Sequence, residues 1–121
     1  MDKKILVVDD AMFMRNIIRR ILKENGYTQV WEAQDGEQAI ELFREVSPEL
    51  VILDITMPGR SGLEVLQDML DLVPDIRVIM CSAVGQEMMI QKALTLGAVD
   101  FIVKPFKQDE FSRVVNRCLE Q

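Results

Sequence analysis

The sequence of 121 residues contains no histidine and only two cysteines, Cys81 and Cys118, which share no paired spacing. Without imidazole groups, histidine-based catalysis and most zinc sites are excluded. Two isolated cysteines predict reduced, mostly buried thiols in a cytoplasmic protein. No apolar run approaches the length of a membrane span, and the four apolar residues after the charged start are too few for a signal-peptide core. We therefore expect no membrane insertion.

Basic residues are also scarce, because 14 Lys and Arg stand against 20 Asp and Glu, for a net charge of −6. Contact with nucleic-acid phosphates needs a basic surface, so nucleic acid is not an expected partner. The apolar content of 49% and the charged content of 28% are those of an ordinary soluble protein. We expect residues 1–121 to form one domain with a single core, and we expect a monomer.

Five short apolar runs alternate with five segments of helical periodicity, a pattern typical of a doubly wound α/β domain. The predicted strands cover residues 5–8, 29–33, 50–54, 78–80 and 99–103. The predicted helices cover 11–24, 86–96 and 111–119, and two more begin at capping boxes that start with Asp35 and Ser61. In the third helix, the inward stripe is predicted to extend to Val73. The second strand is the most polar and is expected at a sheet edge.

Chemically active side chains stand at the ends of four predicted strands. They are Asp9, Asp10, Asp54, Ser82 and Lys104. Parallel strands end at one edge of the sheet, so these groups should meet there. If the three acids share a site, the first strand neighbours the third, and right-handed crossovers then place the second strand on its far side. The predicted fold is a doubly wound, five-stranded parallel sheet in the flavodoxin-like order 2-1-3-4-5, an order known from other proteins.

Three carboxylates near one lysine would make this edge strongly negative. Either one acid binds a proton or a cation lies among them. Carboxylate oxygens with open positions for water and phosphate suit Mg²⁺ better than a calcium cage made only of protein groups. A hydroxyl and a lysine facing the ion would suit a phosphoryl group. The residues thus suggest a magnesium-assisted phosphoryl site with Asp54 as the acceptor.

Each of these residues alone has a simpler interpretation. Asp10 suits the N-cap of the first helix, Ser82 a turn hydroxyl and Lys104 a solvated strand end. Their joint arrangement on successive strand ends favours the shared site.

Four motifs resemble the receiver domain of bacterial two-component response regulators. They are Val7-Val8-Asp9-Asp10, Leu53-Asp54-Ile55-Thr56-Met57-Pro58, Ser82-Ala83 and Lys104-Pro105-Phe106. The motifs occur in the family's order and spacing, and the resemblance covers essentially the whole chain. Finer features within residues 10–15, 54–58 and 81–86 resemble the single-domain chemotaxis regulators of this family.

The resemblance implies that Asp54 accepts a phosphoryl group from a phosphohistidine on a sensor histidine kinase or phosphotransfer domain. It also implies that Mg²⁺ binds Asp10, Asp54 and the backbone carbonyl of Thr56, while Asp9 acts mainly through water. Such a domain is a signalling module rather than an enzyme, although it assists its own phosphorylation and dephosphorylation.

The resemblance further implies that Lys104 and the backbone of Ala83 contact the phosphoryl group. Ser82 would swing towards that group while Phe101 turns from exposed to buried, which makes a two-state switch. Phe101 lacks a hydroxyl, so packing alone must decide its rotamer; ordinary packing without a switch is the alternative. The bond between Lys104 and Pro105 is a candidate cis peptide, as in the family.

Thr56 and Val84 are expected to flank the path of a water molecule that attacks the acyl phosphate. Neither side chain carries a charge or an amide to orient that water, so both positions are expected to tune dephosphorylation.

Two surfaces are candidate partner sites. Arg15 and Arg19 belong to a basic stretch of the first helix, which is either a solvated face or a docking site for an acidic kinase or phosphotransfer domain. Met88, Val99 and Val103 belong to the expected output face of helix four, strand five and helix five, although a helical Met is often a core residue. In a chemotaxis protein the output partner would be the flagellar motor switch.

Other functions fit the residues less well. A phosphatase of the haloacid dehalogenase type needs a second acid two residues after its nucleophile, where this chain has Thr56. A flavodoxin-like flavin carrier needs a Ser/Thr/Gly phosphate cradle, which the turn after Asp9 lacks. Within the family, a phosphorelay intermediate and an excised receiver of a transcription factor stay open.

Overall fold

The computed structural model describes residues 2–120. Strands and helices alternate along this part of the chain. The strands are β1 (Lys4–Val8), β2 (Gln29–Ala33), β3 (Leu50–Asp54), β4 (Arg77–Ala83) and β5 (Asp100–Lys104). The helices are α1 (Met12–Glu24), α2 (Gly36–Val46), α3 (Gly62–Leu72), α4 (Glu87–Leu96) and α5 (Gln108–Glu120). The strands pair in parallel in the order β2-β1-β3-β4-β5, which confirms the predicted fold class and strand order.

The sheet is covered by helices on both faces. Side chains of α1 and α5 pack on one face, and side chains of α2, α3 and α4 pack on the other. Every residue of β3 is buried. Successive strand residues point to opposite faces, so a central strand in this fold needs an apolar residue at almost every position. Asp54, the last residue of β3, is the exception, and it stands where the strand leaves the core.

Hydrogen bonds from side chains fix the start of two helices. In α3, the Ser61 hydroxyl accepts from the Glu64 N–H and the Glu64 carboxylate accepts from the Ser61 N–H, which is the predicted capping box. In α2, Asp35 accepts from the Gln38 N–H as expected, but the Gln38 oxygen accepts from the N–H of Gln34 instead of Asp35. The N-terminal ends of these helices are thereby defined by local sequence.

The inward stripe predicted for the third helix does not extend to Val73. Helix α3 ends at Leu72, and Val73 is an extended C-cap residue whose side chain is 38% exposed. The next residue is Pro74, whose ring disfavours helical backbone angles in the residue before it. The proline therefore ends the helix before Val73 can turn inward.

Both cysteines are free and buried, and burial raises the pKa of the Cys81 thiol to about 12. None of the helices within residues 2–120 has both the length and the apolar character needed to cross a bilayer.

The first residue of α3 packs directly on the backbone at the end of β3. A Cβ at Gly62 would overlap the carbonyl oxygen of Asp54 and would lie 2.7 Å from Cα of Ile55. The Gly62 N–H also donates to the Ile55 carbonyl at 2.7 Å. Glycine is therefore required here because two backbones approach closely. This contact sets the separation between the start of α3 and the end of β3.

Replacing this glycine should destabilise the domain through a steric clash. We expect Gly62→Ala to lower the free energy of unfolding by about 3 kcal/mol, because neither backbone can move away without disturbing the sheet. Gly59→Ala is a matched control: Gly59 has a φ of 80° but no atom within 4 Å of the position a Cβ would take, so only backbone strain of about 1 kcal/mol is expected. Urea denaturation would measure both values, and equal losses would contradict the proposed clash.

Candidate functional site

The carboxyl ends of β1 and β3 bring the three predicted acids together. One carboxylate oxygen from each of Asp9, Asp10 and Asp54 lies within 4.8 Å of the other two. Asp9 and Asp54 are buried, whereas Asp10 is exposed. The cluster therefore has a protein-facing side and a solvent-facing side, which leaves an approach for ligands from outside.

Lys104 reaches this cluster from the end of the edge strand β5. Its Nζ lies 2.8 Å from Oδ2 of Asp9 and 3.5 Å from Oδ1 of Asp54. Burial alone would lower the pKa of Lys104, but the hydrogen bond to Asp9 and the charge of Asp54 outweigh it and raise the pKa. The ammonium group is therefore charged at neutral pH and offsets part of the negative charge.

The protonation of Asp54 is strongly affected by this environment. Burial raises the pKa of Asp54 to about 6; the charge of Lys104 opposes the rise and that of Asp9 adds to it. The N–H of Thr56 donates to Asp54 Oδ1 at 3.3 Å, which favours the ionised form. Near neutral pH the carboxylate is ionised, but its burial in the charged form costs folding free energy. A bound cation would offset that cost.

Asp10 does not cap the first helix. The N-cap of α1 is Ala11, which makes no side-chain capping bond, and the Ala11 N–H donates to Oδ1 of Asp9 at 2.9 Å. The simpler interpretation of Asp10 is therefore wrong, because the turn after β1 is closed by the preceding acid. The carboxylate of Asp10 therefore faces the cluster and solvent.

Arg15 is not part of an exposed basic surface, contrary to the sequence-based expectation. Its side chain is buried, donates to the backbone carbonyl of Asp9 at 2.6 Å, and pairs with Glu32 of β2 at 3.1 Å. Glu32 also pairs with Arg19, which is half exposed. Arg15 lies three residues before Ile18 and so shares the inward face of α1. It helps to fix the turn that presents Asp9 and Asp10.

The end of β4 supplies the hydroxyl predicted for the site. Ser82 follows Cys81, the register partner of Asp54, and its side chain is fully buried. Its Oγ has no hydrogen-bond partner among the residues that the structure describes. A buried hydroxyl without a partner is costly, so Ser82 is a donor suited to an incoming acceptor such as a phosphoryl oxygen.

The loops after β3 and β4 carry the remaining predicted residues. The side chain of Gln86 connects them, because its Nε2 donates to the Thr56 hydroxyl and its Oε1 accepts from the Ala83 N–H. Val84, at the tip of the β4–α4 loop, is 76% exposed. The peptide bond between Lys104 and Pro105 is cis. Sequence reasoning missed Gln86, because no periodicity encodes a contact between two loops.

The predicted output face is partly exposed. Met88, Val99 and Phe101 are exposed, Met88 to 86% and Phe101 to 39%, whereas Val103 is half-buried against the core. Met12 and Phe13 are also exposed, directly after the acids of β1. Neither residue belongs to the inward stripe of α1, which begins at Met14. Apolar residues outside that stripe are the sequence signal for this second apolar patch.

The side chains present fit a divalent cation and a phosphoryl group. The charge of the three carboxylates is only partly offset by their neighbours, and carboxylate oxygens are ligands that suit Mg²⁺. This ion binds one or two carboxylates directly and keeps several waters, through which the third can act. The hydroxyl of Ser82, unpaired among residues 2–120, and the ammonium of Lys104 lie on the neighbouring strands β4 and β5. Fold and site together define a flavodoxin-like α/β domain with an acidic site at the carboxyl edge of its sheet.

Comparison with known families identifies the domain further. A family model described as "Response regulator receiver domain" matches residues 5–116. The chain therefore belongs to the response regulator receiver family, and it is a signalling domain rather than a classical enzyme. Membership implies a histidine kinase or phosphotransfer partner.

Similar proteins include single-domain chemotaxis regulators. The chain is 47% identical to the chemotaxis protein CheY of Bacillus subtilis, covering 98% of this chain and 99% of the relative. It is 50% identical to CheY of Listeria monocytogenes, covering 95% and 97%. It is 38% identical to sporulation initiation phosphotransferase F of Bacillus subtilis, covering 98% and 95%.

A similar solved structure is the receiver domain of NtrX from Brucella abortus. It superposes with a TM-score of 0.93 at 36% identity, covering 98% of this chain and 99% of that one. The fold and the family are thus supported independently of the site geometry.

The raised pKa of Asp54 predicts a pH-dependent effect of removing its charge. In the absence of divalent ions, ionisation of Asp54 should cost folding free energy, because its pKa rises from 3.8 to about 6 on folding. The cost is absent below about pH 4, grows between pH 4 and 6, and is full above pH 6. Two pK units correspond to almost 3 kcal/mol, and solvent screening at this edge reduces the expected cost to about 1–2 kcal/mol.

Asp54→Asn should therefore be more stable than the parent chain at pH 7.5 in EDTA, with the difference shrinking to nothing towards pH 4. Denaturant titrations across this range would measure it. Asp75→Asn, at an exposed position beyond the opposite edge of the sheet, is the control and should show no such trend. A pH-independent difference for Asp54→Asn would contradict the assigned cause.

Proposed function

We propose that this chain is a phosphorylation-activated response regulator in which Asp54 accepts a phosphoryl group from a phosphohistidine. The observation that carries the proposal is the convergence of three carboxylates, one ammonium and one buried hydroxyl at one edge of the sheet. That hydroxyl has no partner in the described part of the chain. An Asp54 carboxylate oxygen attacks phosphorus, the bond to the donor's imidazole nitrogen breaks, and that nitrogen keeps the electron pair and takes up a proton. The product is an acyl phosphate on Asp54.

The acids of the cluster would hold Mg²⁺ in this reaction. Asp10 and Asp54 would bind it directly with the backbone carbonyl of Thr56, while Asp9 would act mainly through water and through its contact with Lys104. When bound, the ion offsets negative charge on the acceptor and the phosphoryl oxygens. The pKa of Asp54, raised chiefly by burial, supports this assignment, because a bound cation would stabilise the ionised form that burial disfavours.

The phosphoryl group would then be recognised by groups on β4 and β5. Lys104 would exchange part of its contact with Asp9 for the phosphoryl oxygens, and the Ser82 hydroxyl would gain the acceptor it lacks. The backbone N–H of Ala83 would donate as well. These contacts form only in the phosphorylated state, so they shift the population towards the active arrangement.

The exposed side chain of Phe101 is the proposed reporter of that shift. It lies on β5 opposite Met80, two residues before Ser82 along β4, and without a hydroxyl its position depends on packing alone. Movement of Ser82 towards Asp54 would open space for Phe101 to turn inward. The face of α4, β5 and α5, with Met88 and Val99 exposed, would then change shape for an output partner.

The pathway proposed is chemotaxis, with a segment of the flagellar motor switch as output partner. The support is the similarity to CheY proteins across nearly their whole length. A phosphorelay intermediate is the second candidate, favoured by the 38% identity to sporulation initiation phosphotransferase F. In either role, kinase docking would use the exposed part of α1, which includes Arg19 but not the buried Arg15.

Direct phosphorylation tests the proposal. On incubation with acetyl phosphate and Mg²⁺, intact mass spectrometry should show one added phosphoryl group on the parent chain and on Asp75→Asn. Asp54→Asn should gain none, because an amide oxygen is too weak a nucleophile, and EDTA should abolish the gain on the parent chain. No mass gain in any chain, or an equal gain in Asp54→Asn, would refute the assignment.

The lifetime of the acyl phosphate should depend on Val84. We expect Val84→Glu to shorten the half-life of the phosphorylated chain several-fold, because a carboxylate can accept a proton from an attacking water. Met88→Glu, a change at a similarly exposed position on α4, should leave the half-life unchanged. Mass spectrometry after removal of the phosphodonor gives both half-lives, and equal values would show that Val84 lies off the water's path.

A further inference from the structure

The Gln86 bridge, defined as the two hydrogen bonds of the Gln86 side chain, links the end of β4 and the loop that follows it to the loop after β3. Oε1 accepts from the backbone N–H of Ala83 at 2.7 Å, and Nε2 donates to Oγ1 of Thr56 at 2.6 Å. Both ends of the amide are therefore engaged, one as acceptor and one as donor. An ammonium group could not replace this amide, because it cannot accept from the Ala83 N–H.

The backbone around Gln86 is arranged for this contact. Gly85 has a φ of 96°, in the region that glycine adopts readily, and the turn allows Gln86 to reach back three residues to Ala83. Gln86 is also the N-cap residue of α4, yet its side chain makes no capping bond with that helix. Serine, threonine, asparagine or aspartate would suit the cap better. The side chain therefore serves the two loops instead of the helix.

The bridge occupies a group that the proposed function requires. The N–H of Ala83 is one donor, and in this structure it is directed at Gln86. A phosphoryl group on Asp54 can accept from that N–H only if Gln86 releases it. The neighbouring Ser82 hydroxyl differs, because it has no partner to give up among residues 2–120. Phosphorylation would thus add one hydrogen bond at the Ser82 hydroxyl and exchange one at the Ala83 N–H.

We propose that Gln86 is a positioning residue that competes with the phosphoryl group for the Ala83 N–H and so stabilises the unphosphorylated arrangement. This inference rests on the proposed function, because the competitor is the phosphoryl group of Asp54. An interaction that exists in only one of two states shifts their equilibrium by its own contribution. Loss of the bridge therefore favours the phosphorylated state.

A variant that keeps the size of the side chain isolates the hydrogen bonds. Gln86→Met retains length and volume but neither donates nor accepts as an amide does. It should bind the phosphoryl mimic beryllofluoride about fivefold more tightly than the parent chain, the factor expected for the net contribution of one neutral hydrogen bond. Damage to the loop would change affinity in the opposite direction, so the sign separates competition from a purely structural role.

Two further variants accompany it. Gln91→Met makes the same change at an exposed position further along α4 and should bind beryllofluoride as the parent chain does. Thr56→Val removes the other end of the bridge while keeping the backbone carbonyl of residue 56. It should raise the affinity in the same direction but less, because the bond to Ala83 persists.

The experiment is calorimetric titration of the parent chain and each variant with beryllofluoride at saturating Mg²⁺, combined with amide hydrogen exchange of Ala83 without either ligand. Tighter binding by Gln86→Met, together with faster Ala83 exchange in that variant alone among the methionine variants, supports the proposal. Unchanged or weaker binding by Gln86→Met, while the parent chain binds normally, overturns the competition and leaves the proposed function intact. Failure of the parent chain itself to bind beryllofluoride would overturn the proposed function and the competition together.

Discussion

Repulsion among the three carboxylates at the ends of β1 and β3 is the constraint on which this site depends. Two carboxylates about 5 Å apart repel by roughly 3 kcal/mol at an effective dielectric near 20. Lys104 offsets part of this repulsion, and burial together with the charge of Asp9 raises the pKa of Asp54 to about 6. The sheet keeps the acids together regardless, because β1 and β3 are paired in register and buried among apolar side chains. The stability of the core thus maintains a site in which three carboxylates face the single ammonium group of Lys104.

The scaffold and the responsive part of the domain are separate. Paired strands with helices on both faces form two continuous cores, which resist small displacements because they are closely packed. The groups with freedom to change partners lie at the end of β4, in the loops after β3 and β4, or on β5. Ser82 lacks a partner within the described residues, Ala83 has one that is exchangeable, and Phe101 is partly in solvent. In the proposed function, a charge added at Asp54 would therefore rearrange these groups without disturbing the sheet.

Sequence patterns predicted the fold because apolar runs and helical periodicity report burial directly. The strand order followed from a chemical requirement, that the acids after Val8 and Leu53 should meet, and the observed register satisfies it. Helix ends were predictable where local chemistry decides them, as at Ser61, and mispredicted at Val73, where Pro74 overrides the stripe. The charge of Arg15 predicts a surface position, whereas its spacing from Ile18 places it on the inward face of α1, and the spacing proves to be the better guide. Gly62 and Gln86 had no periodic signal, since their contacts depend on how separate segments approach each other. The start of α3 approaches the end of β3, and the loop after β4 approaches the loop after β3.

Arg15 makes the acidic site sensitive to a strand that contributes no acid to it. The guanidinium group donates to the Asp9 carbonyl on one side and is neutralised by Glu32 of β2 on the other. A neutral residue in place of Glu32 would leave the positive charge of Arg15 less compensated beside the Asp9 backbone. This charge would weaken the attraction of the carboxylates for a cation. Strand β2, the outermost on this side of the sheet, therefore influences the electrostatic field at the acids although it contributes no acid to the cluster.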